Sequence, residues 1–491
     1  MYMGVDIGTS STKAVVVDET GKIIAEGLSS PYPVDMPYPA WAQQEAHVWV
    51  KGFEEAVKRC VKNLGDKKKA IRALCISGLY GGTGIPLDEN MSPIHPALIW
   101  MDKRATEETE YLKKTIGWEE IFELTGNYID PYYGFTKLLW LKRNRPDVWK
   151  ATRIFLTPKD YIIYLLTGEK VIDHSSAGNI GGIYDVRRRR WSEKAMDILE
   201  IDRDKFPEKL VSSSEIVGEI SDVWATRLEL PRKTPVVAGG IDAAVATLAA
   251  GVTSEGEHAA MVGTSMCWGT IHENKSLNWR MINFPYVFKG AVYIYSFAGA
   301  TTSGALIEWF KTLTNIEDLE KITEAAEKVP AGSKNLVILP FFMGERAPLW
   351  NPDLRGCIHG LTLSHGVNEL FRAILEAIAF SLCHSMKTAK DTSLELKPAL
   401  RIVGGLTKNR LWLRIVAAMS KKTVLVLPTS LDAPYGDAFL AALATKAVDE
   451  NGIKNWISWE SIEPDPSLAK EYEKVLEKYE RILKNYLKWN I

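Results

Sequence analysis

Residues 3–22 read MGVDIGTSSTKAVVVDETGK, and this stretch decides the fold. A short apolar strand over 2–7 carries one acid, Asp6. A tight Gly8-Thr9-Ser10-Ser11-Thr12 turn follows, then a second β-branched strand over 14–17 and a second turn at Asp18-Glu19-Thr20-Gly21. Glycine lets backbone come close to a ligand, and hydroxyls add donors, so the first turn suits an anion. A carboxylate beside it suits hydrated Mg²⁺, which takes few protein oxygens and keeps its waters. Lys13 adds a positive charge. Acid, hydroxyls and cation close together form a nucleotide-phosphate constellation. The plain alternative is a hairpin with a polar turn.

Working outward, the pattern recurs. Residues 258–270, HAAMVGTSMCWGT, again give a strand, then Gly263-Thr264-Ser265, then a strand. Two such units suggest a duplicated domain with a phosphate pinched between the turns. Residues 235–251, PVVAGGIDAAVATLAAG, run a buried strand into Gly239-Gly240 and place Asp242 at the start of an Ala-rich helix. An acid is favoured there as an N-cap and by the positive end of the helix. Held ionised, it suits a base that takes a proton from an alcohol; a simple capping role is the competing reading. Residues 401–413, RIVGGLTKNRLWL, end a strand in Gly404-Gly405. A flat ring such as adenine can approach that turn closely, with Asn409 as a hydrogen-bonding partner, although an ordinary strand-to-helix turn reads the same way. Residues 298–310, AGATTSGALIEWF, enter a helix through Gly304 and suit phosphates. Neither GxxxxGK[ST] nor a GxGxxG after the first strand occurs, which disfavours a P-loop and a dinucleotide fold.

A chain of 491 residues is too long for one hydrophobic core and suits two domains. Hydrophobic residues make up 46% and charged residues 25%, the profile of a soluble globular enzyme. A net charge of −1 gives no field that favours nucleic acid or an anionic membrane. The run Arg187-Arg188-Arg189-Arg190 reads as a solvated turn. The five cysteines show no CxxC spacing and read as reduced thiols, and the eight histidines form no zinc pattern. With no signal-peptide pattern and no long apolar run, the expectation is a cytoplasmic protein without a membrane span.

Strand-like runs at 73–77, 235–238, 259–262, 292–296, 336–339, 400–403 and 424–427 alternate with helical stretches such as 49–63, 137–143, 369–389 and 409–420. That is an α/β chain. Near the end, Leu468, Tyr472, Val475, Leu476, Tyr479, Ile482, Leu483, Tyr486 and Leu487 fall on one helical face and read as core. The best boundary lies near Gly251, giving domains 1–251 and 252–491.

Together these residues resemble the FGGY family of carbohydrate kinases, in the wider actin/hexokinase ATPase superfamily. The likeness runs through nearly the whole chain in order. It starts with Asp6, Gly8, Thr9, Ser11 and Lys13, and continues through Trp41 to Gln44 and the string PALIWMDKR over 96–104. Thr125-Gly126-Asn127, KLLW over 137–140 and Asp160-Tyr161 to Leu166-Thr167-Gly168 follow. Gly239-Gly240-Ile241-Asp242 and GERAPLWNP over 344–352 complete it. The resemblance implies two ribonuclease-H-like domains with a central cleft for ATP. It implies that Thr9, Ser10 and Lys13 from one hairpin, with Gly263 and Thr264 from the other, hold the β- and γ-phosphates. Asp6 would bind Mg²⁺ through water, Gly405 and Asn409 would line the adenosine pocket, and Asp242 would be the catalytic base. Trp100 and Asp102 keep the family type and are expected to touch substrate. The implied partners are a small-molecule sugar or polyol and, as is common among relatives, a second copy in a homodimer.

The pattern breaks where sugar identity is read. The string Ser77-Gly78-Leu79-Tyr80-Gly81-Gly82-Thr83 has Gly81 where xylulose kinases usually carry His, and Tyr80-Gly81 where glycerol kinases carry Arg-Glu. Ala243 follows the expected base where many members have Asn or Gln. Fewer fixed polar groups leave the hydroxyl stereochemistry unread, because discrimination comes from buried groups left unpaired by the wrong sugar. The overall wording is most similar to xylulose-kinase-type members, so D-xylulose leads, with gluconate, ribulose or another polyol behind it. A non-catalytic nucleotide or sugar sensor of the same superfamily is the alternative from another class.

Overall fold

The computed structural model describes residues 1–273, 276–391, 394–427 and 431–489. Strands and helices alternate along the chain, and the described residues fall into two compact units. The first unit gathers Met1–Glu255, Ile271–Ser296 and Asp432–Ile457; the second gathers Gly256–Thr270, Phe297–Leu431 and Ser458–Ile491.

The first unit is built on a six-stranded sheet. Its order is Ile216–Glu219, Pro235–Val237, Ala73–Gly78, Tyr2–Ile7, Thr12–Val17, Ile23–Leu28. Tyr2–Ile7 and Thr12–Val17 form the expected hairpin, with Asp6 opposite Lys13. Tyr2–Ile7 runs parallel to Ala73–Gly78, which runs parallel to Pro235–Val237. Tyr2–Ile7 is covered on both faces, which is why it reads as a continuous apolar run rather than an alternating one. Met3, Val5 and Ile7 share a core with Trp49, Phe53, Ala56, Val57 and Cys60 of the amphipathic helix Ala46–Leu64. The opposite face carries no side chain at Gly4, and there the helix Ala433–Ala444 lies on the strand. That contact explains why a segment so late in the chain belongs to the first unit. Residues 271–296 join it through Asn283, which donates to the Gly126 carbonyl at 2.9 Å, and Tyr286, whose hydroxyl donates to the Val252 carbonyl at 2.9 Å.

The second unit repeats the plan. His258–Val262 pairs antiparallel with the start of Met266–Glu273 across the Gly263-Thr264-Ser265 turn, and runs parallel to Ala399–Val403. Ala399–Val403 runs parallel to Thr423–Val426, with Glu460–Ile462 antiparallel beyond it. A hairpin followed by a parallel neighbour in each unit is the structural form of the repeated Gly-Thr-Ser sequence. The closing helix, Pro466–Trp489, turns its apolar stripe inward: Tyr472, Tyr479 and Leu483 are buried, and Tyr479 stacks on Phe380 with ring centroids 3.9 Å apart.

The arginine run is a turn, as expected, between the paired strands Tyr184–Asp185 and Arg190–Trp191. It is tethered as well as solvated: Asp185 accepts from the backbone N–H groups of Arg187 and Arg188, and Arg189 donates to the Gly290 and Val292 carbonyls. Among the described residues, no helix is long and apolar enough to cross a membrane.

Candidate active site

In the first unit, three parallel strands end on one side of the sheet, where α/β folds place their ligands. The turn after Tyr2–Ile7 closes through Gly8, whose N–H donates to the Ser11 carbonyl at 3.1 Å. A Cβ on Gly8 would stand 2.7 Å from that oxygen, so the turn needs glycine. Side chains brace it from behind. Tyr32 donates to the Gly8 carbonyl at 2.8 Å, and Gln44 donates to the Thr9 carbonyl at 2.8 Å. Ser10 is exposed, and Lys13, half-exposed, pairs with Asp432 at 2.6 Å.

The loop after Pro235–Val237 carries Asp242. A Cβ on Gly239 would lie 1.9 Å from the Ile76 carbonyl oxygen, and the Gly240 carbonyl accepts from the Gly78 N–H at 3.1 Å. These contacts tie the loop to Ala73–Gly78, whose Ser77 stands opposite Asp6. The expected N-cap role of Asp242 needs correction. Ile241, in extended conformation, is the cap residue, and Asp242 is the first helical residue of Asp242–Ala249. The Ile241 N–H donates to Ser175 Oγ at 3.1 Å. Asp242 accepts from the Ala243 N–H at 2.6 Å and still lies at the positive end of the helix. Behind Ser175 stands a buried ionic cluster. Asp173 accepts from Ser175 and pairs with Lys159 at 2.9 Å, and Lys159 also pairs with Asp160 at 2.6 Å.

The loop after Ala73–Gly78 carries Tyr80 and Gly81, both buried. Gly81 sits at φ 98°, and a Cβ there would meet Trp100 Cβ at 3.0 Å and Tyr132 Cζ at 3.1 Å. Trp100 donates its indole N–H to Thr9 Oγ1 at 3.1 Å, which joins this wall to the Gly-Thr-Ser turn. Asp102 has a different environment. It is fully buried, accepts from the Ala42 N–H at 2.6 Å and from Arg104 Nε at 2.8 Å, and Arg104 packs over the Trp41 ring at 3.7 Å. Its contacts anchor the loop that presents Trp100.

Burial raises the Asp6 carboxyl well above its ordinary value, and the carboxylates of Asp242, Asp432 and Asp437 raise it further, with Lys13 opposing. Crowded acids with one lysine among them favour a bound cation. Among the described residues no group of three or more His, Cys, Asp or Glu is placed to hold a metal ion. Asp437 lies beneath Asp6. Its carboxyl, pushed up to about 8 by burial, accepts from the Ser77 N–H at 3.1 Å, and the Ser77 hydroxyl reaches both Asp437 at 2.5 Å and Asp6 at 3.2 Å.

In the second unit, Gly263 and Gly404 end adjacent parallel strands. Thr264 is exposed. The Gly304 N–H donates to the Gly263 carbonyl at 2.9 Å, and a Cβ on Gly304 would lie 2.6 Å from that oxygen, so Gly304 acts through close approach. Gly405 is open, with nothing within 4 Å of the place a Cβ would take. Asn409 is the N-cap of Arg410–Ser420: its Oδ1 accepts from the Trp412 N–H at 2.9 Å and its Nδ2 donates to Thr323 at 3.1 Å. Replacing Asn409 by alanine is therefore expected to cost about 1 kcal/mol in urea unfolding through loss of the cap.

Sequence reasoning missed Tyr132, Lys137, Ser175, Asp432 and Asp437. Two had a visible signal. Lys137 and Asp437 are single charges inside apolar helical stretches, GFTKLLWL and PYGDAFLAALA, where burial would leave them costly unless partnered.

Residues 1–249 match the model for the FGGY family of carbohydrate kinases, N-terminal domain, and residues 258–445 match that for its C-terminal domain. The xylulose kinase of Bacillus subtilis (strain 168) is 29% identical over 454 residues, covering 90% of this chain and 88% of that protein. Among solved structures, the ligand-bound xylulose kinase and the gluconate kinase from Lactobacillus acidophilus are each 25% identical with a TM-score of 0.91, over 99% of both chains.

Proposed function

The chain belongs to the FGGY family of carbohydrate kinases, and from that premise we propose that it transfers the γ-phosphoryl group of ATP to a hydroxyl of D-xylulose, forming D-xylulose 5-phosphate. The observation that carries the site assignment is the gathering of Asp6, Asp242, the Gly8-Thr9-Ser10 turn and the Trp100–Gly81 wall at the carboxyl ends of neighbouring strands in the first unit.

Asp242 takes the proton of the substrate hydroxyl as its oxygen attacks phosphorus. The new O–P bond forms as the bond to the ADP oxygen breaks, and ADP leaves with that electron pair. Such transfer needs alignment and charge neutralisation rather than a covalent intermediate. Thr9, Ser10 and Lys13 serve the phosphates, and Lys13 exchanges Asp432 for them. In the second unit Thr264 offers its hydroxyl to the phosphates, the small residues Gly263 and Gly304 let backbone approach, and Gly405 leaves room for the adenosine. Asp6 would hold Mg²⁺, and that ion would supply neutralisation of phosphate charge. Tyr80, Gly81 and Trp100 face the sugar, with Asp102 supporting Trp100. The spacing of the five cysteines, with no CxxC pair among them, supports a reducing, cytoplasmic setting.

The test is ADP release with Mg²⁺-ATP across D-xylulose, D-ribulose, glycerol and D-gluconate. D-Xylulose is expected to turn over at least about tenfold faster than the no-sugar background and than the other three, a margin of about 1.4 kcal/mol in transition-state binding. Preference for gluconate would move the substrate assignment and keep the kinase. A flat panel would remove the substrate reading.

A further inference from the structure

We propose that Lys137 is a positioning residue for the sugar: by donating to the Gly81 carbonyl at 2.7 Å and the Tyr132 carbonyl at 2.6 Å, it clasps the Gly81 loop of the substrate wall to the neighbouring Tyr132 loop and so sets sugar affinity without touching the sugar. The inference rests on the reading that Gly81 and Trp100 face the substrate.

Lys137 lies on the helix Gly134–Asn144 and is fully buried. Taking an ammonium out of water costs several kcal/mol. A methionine would fill the same space without that cost, so the charge has to be explained by what it holds. Its two acceptors lie on separate loops, and the Gly81 backbone closely approaches both the Tyr132 ring and Trp100. Tyr132 is also tied to other neighbours. Its N–H donates to Asp130 at 2.8 Å, and its hydroxyl donates to Asn179 at 3.3 Å. Two hydrogen bonds from Lys137 span from Tyr132 to Gly81. No side chain at position 81 can take over, because the residue is a glycine at positive φ where a Cβ would come within 3.0 Å of Trp100 and 3.1 Å of the Tyr132 ring, closer than ordinary contact.

The clasp has a pH sign. Burial pulls the Lys137 ammonium down to about 7; Asp102 and Asp130 favour its charge, and Arg104 and Lys103 oppose it. Below that pH both hydrogen bonds are charge-assisted, and such bonds are roughly twice as strong as neutral ones. Above it the amine is neutral and the clasp loosens. Sugar affinity is therefore expected to fall as pH rises through this range.

The experiment measures KM for D-xylulose and for ATP between pH 6 and 8.5 in the wild type and in Lys137→Met. In the wild type, KM for D-xylulose is expected to rise about threefold or more with pH while KM for ATP follows a different course. In Lys137→Met, KM for D-xylulose at pH 6 is expected to be about tenfold higher or more, with the rise with pH gone and KM for ATP within about twofold of wild type. A merely structural lysine would raise both KM values together and lower thermal stability, and that outcome overturns the inference. So does an unchanged sugar KM in the variant. If the variant does not fold, a flat wild-type sugar KM overturns the inference by itself, and the predicted rise supports it. A wild type that turns over D-xylulose no faster than background would overturn the underlying reading of the wall, which separates that failure from this one.

Discussion

Replacing Asp242 by asparagine is expected to lower kcat by about 10²–10⁴-fold while ATP binding stays as it was. The substitution is nearly isosteric. Asparagine Oδ1 can still accept from the Ala243 N–H, as the Asp242 carboxylate does at 2.6 Å, so the helix start is kept. What is lost is the anion that takes the hydroxyl proton. Asp242 is the first residue of Asp242–Ala249, where unpaired backbone N–H groups give positive potential that favours an anion. The same charge is, after burial, the largest cause of the raised Asp6 carboxyl, so Asp6 should ionise at lower pH in the variant. Steady-state ADP release gives kcat, calorimetry with ATP gives the binding control, and carboxyl-carbon NMR reads Asp6. A rate within a few-fold of wild type would take Asp242 out of the chemistry.

Replacing Gly4 by alanine is expected to cost about 3 kcal/mol of stability, enough to lower the urea midpoint sharply or to prevent recovery of folded protein. A Cβ there would lie 1.9 Å from the Pro434 carbonyl oxygen, 2.6 Å from the Ala438 nitrogen and 2.7 Å from Asp437 Cβ. None of these is the far end of a flexible side chain, so the clash cannot be relieved by a rotamer change. The strand cannot slide away either, because Tyr2–Ile7 is hydrogen-bonded on both sides. The helix is further held by Gly436, where a Cβ would come within 2.4 Å of the Val245 carbonyl on the helix that Asp242 opens. Gly405→Ala is the control, since nothing lies within 4 Å of its Cβ direction, and it should unfold with wild-type midpoint. Equal midpoints for the two variants would mean that the helix Ala433–Ala444 does not lie on this strand.

The elements were legible because their causes are local. The run 2–7 is apolar and ends in Gly8, and the observed strand is Tyr2–Ile7. The stretch read as helical at 369–389 is Val367–Lys390, and the expected strand 400–403 is Ala399–Val403. Errors of one to three residues fall at the ends, as where the stretches read as helical at 49–63 and 137–143 are Ala46–Leu64 and Gly134–Asn144. The family was legible too, since its ordered motifs are matched by models over residues 1–249 and 258–445.

What the sequence determined alone was the set of parts: two hairpins around Gly-Thr-Ser turns, an acid at the start of an Ala-rich helix, and the kinase family to which they belong. Spacing along the chain carries that information because each part is made by neighbours. The tertiary structure decided how the parts are used. It ties Asp102 to Arg104, gives Asn409 a helix to cap, brings Asp437 beneath Asp6 across the whole length of the chain, and sets Lys137 between two carbonyls. The contacts of Asp437 with Ser77, of Asp102 with Ala42 and of Lys137 with Gly81 join residues far apart in sequence, so a lone charge in an apolar stretch is visible along the chain but its partner is not until the chain has folded.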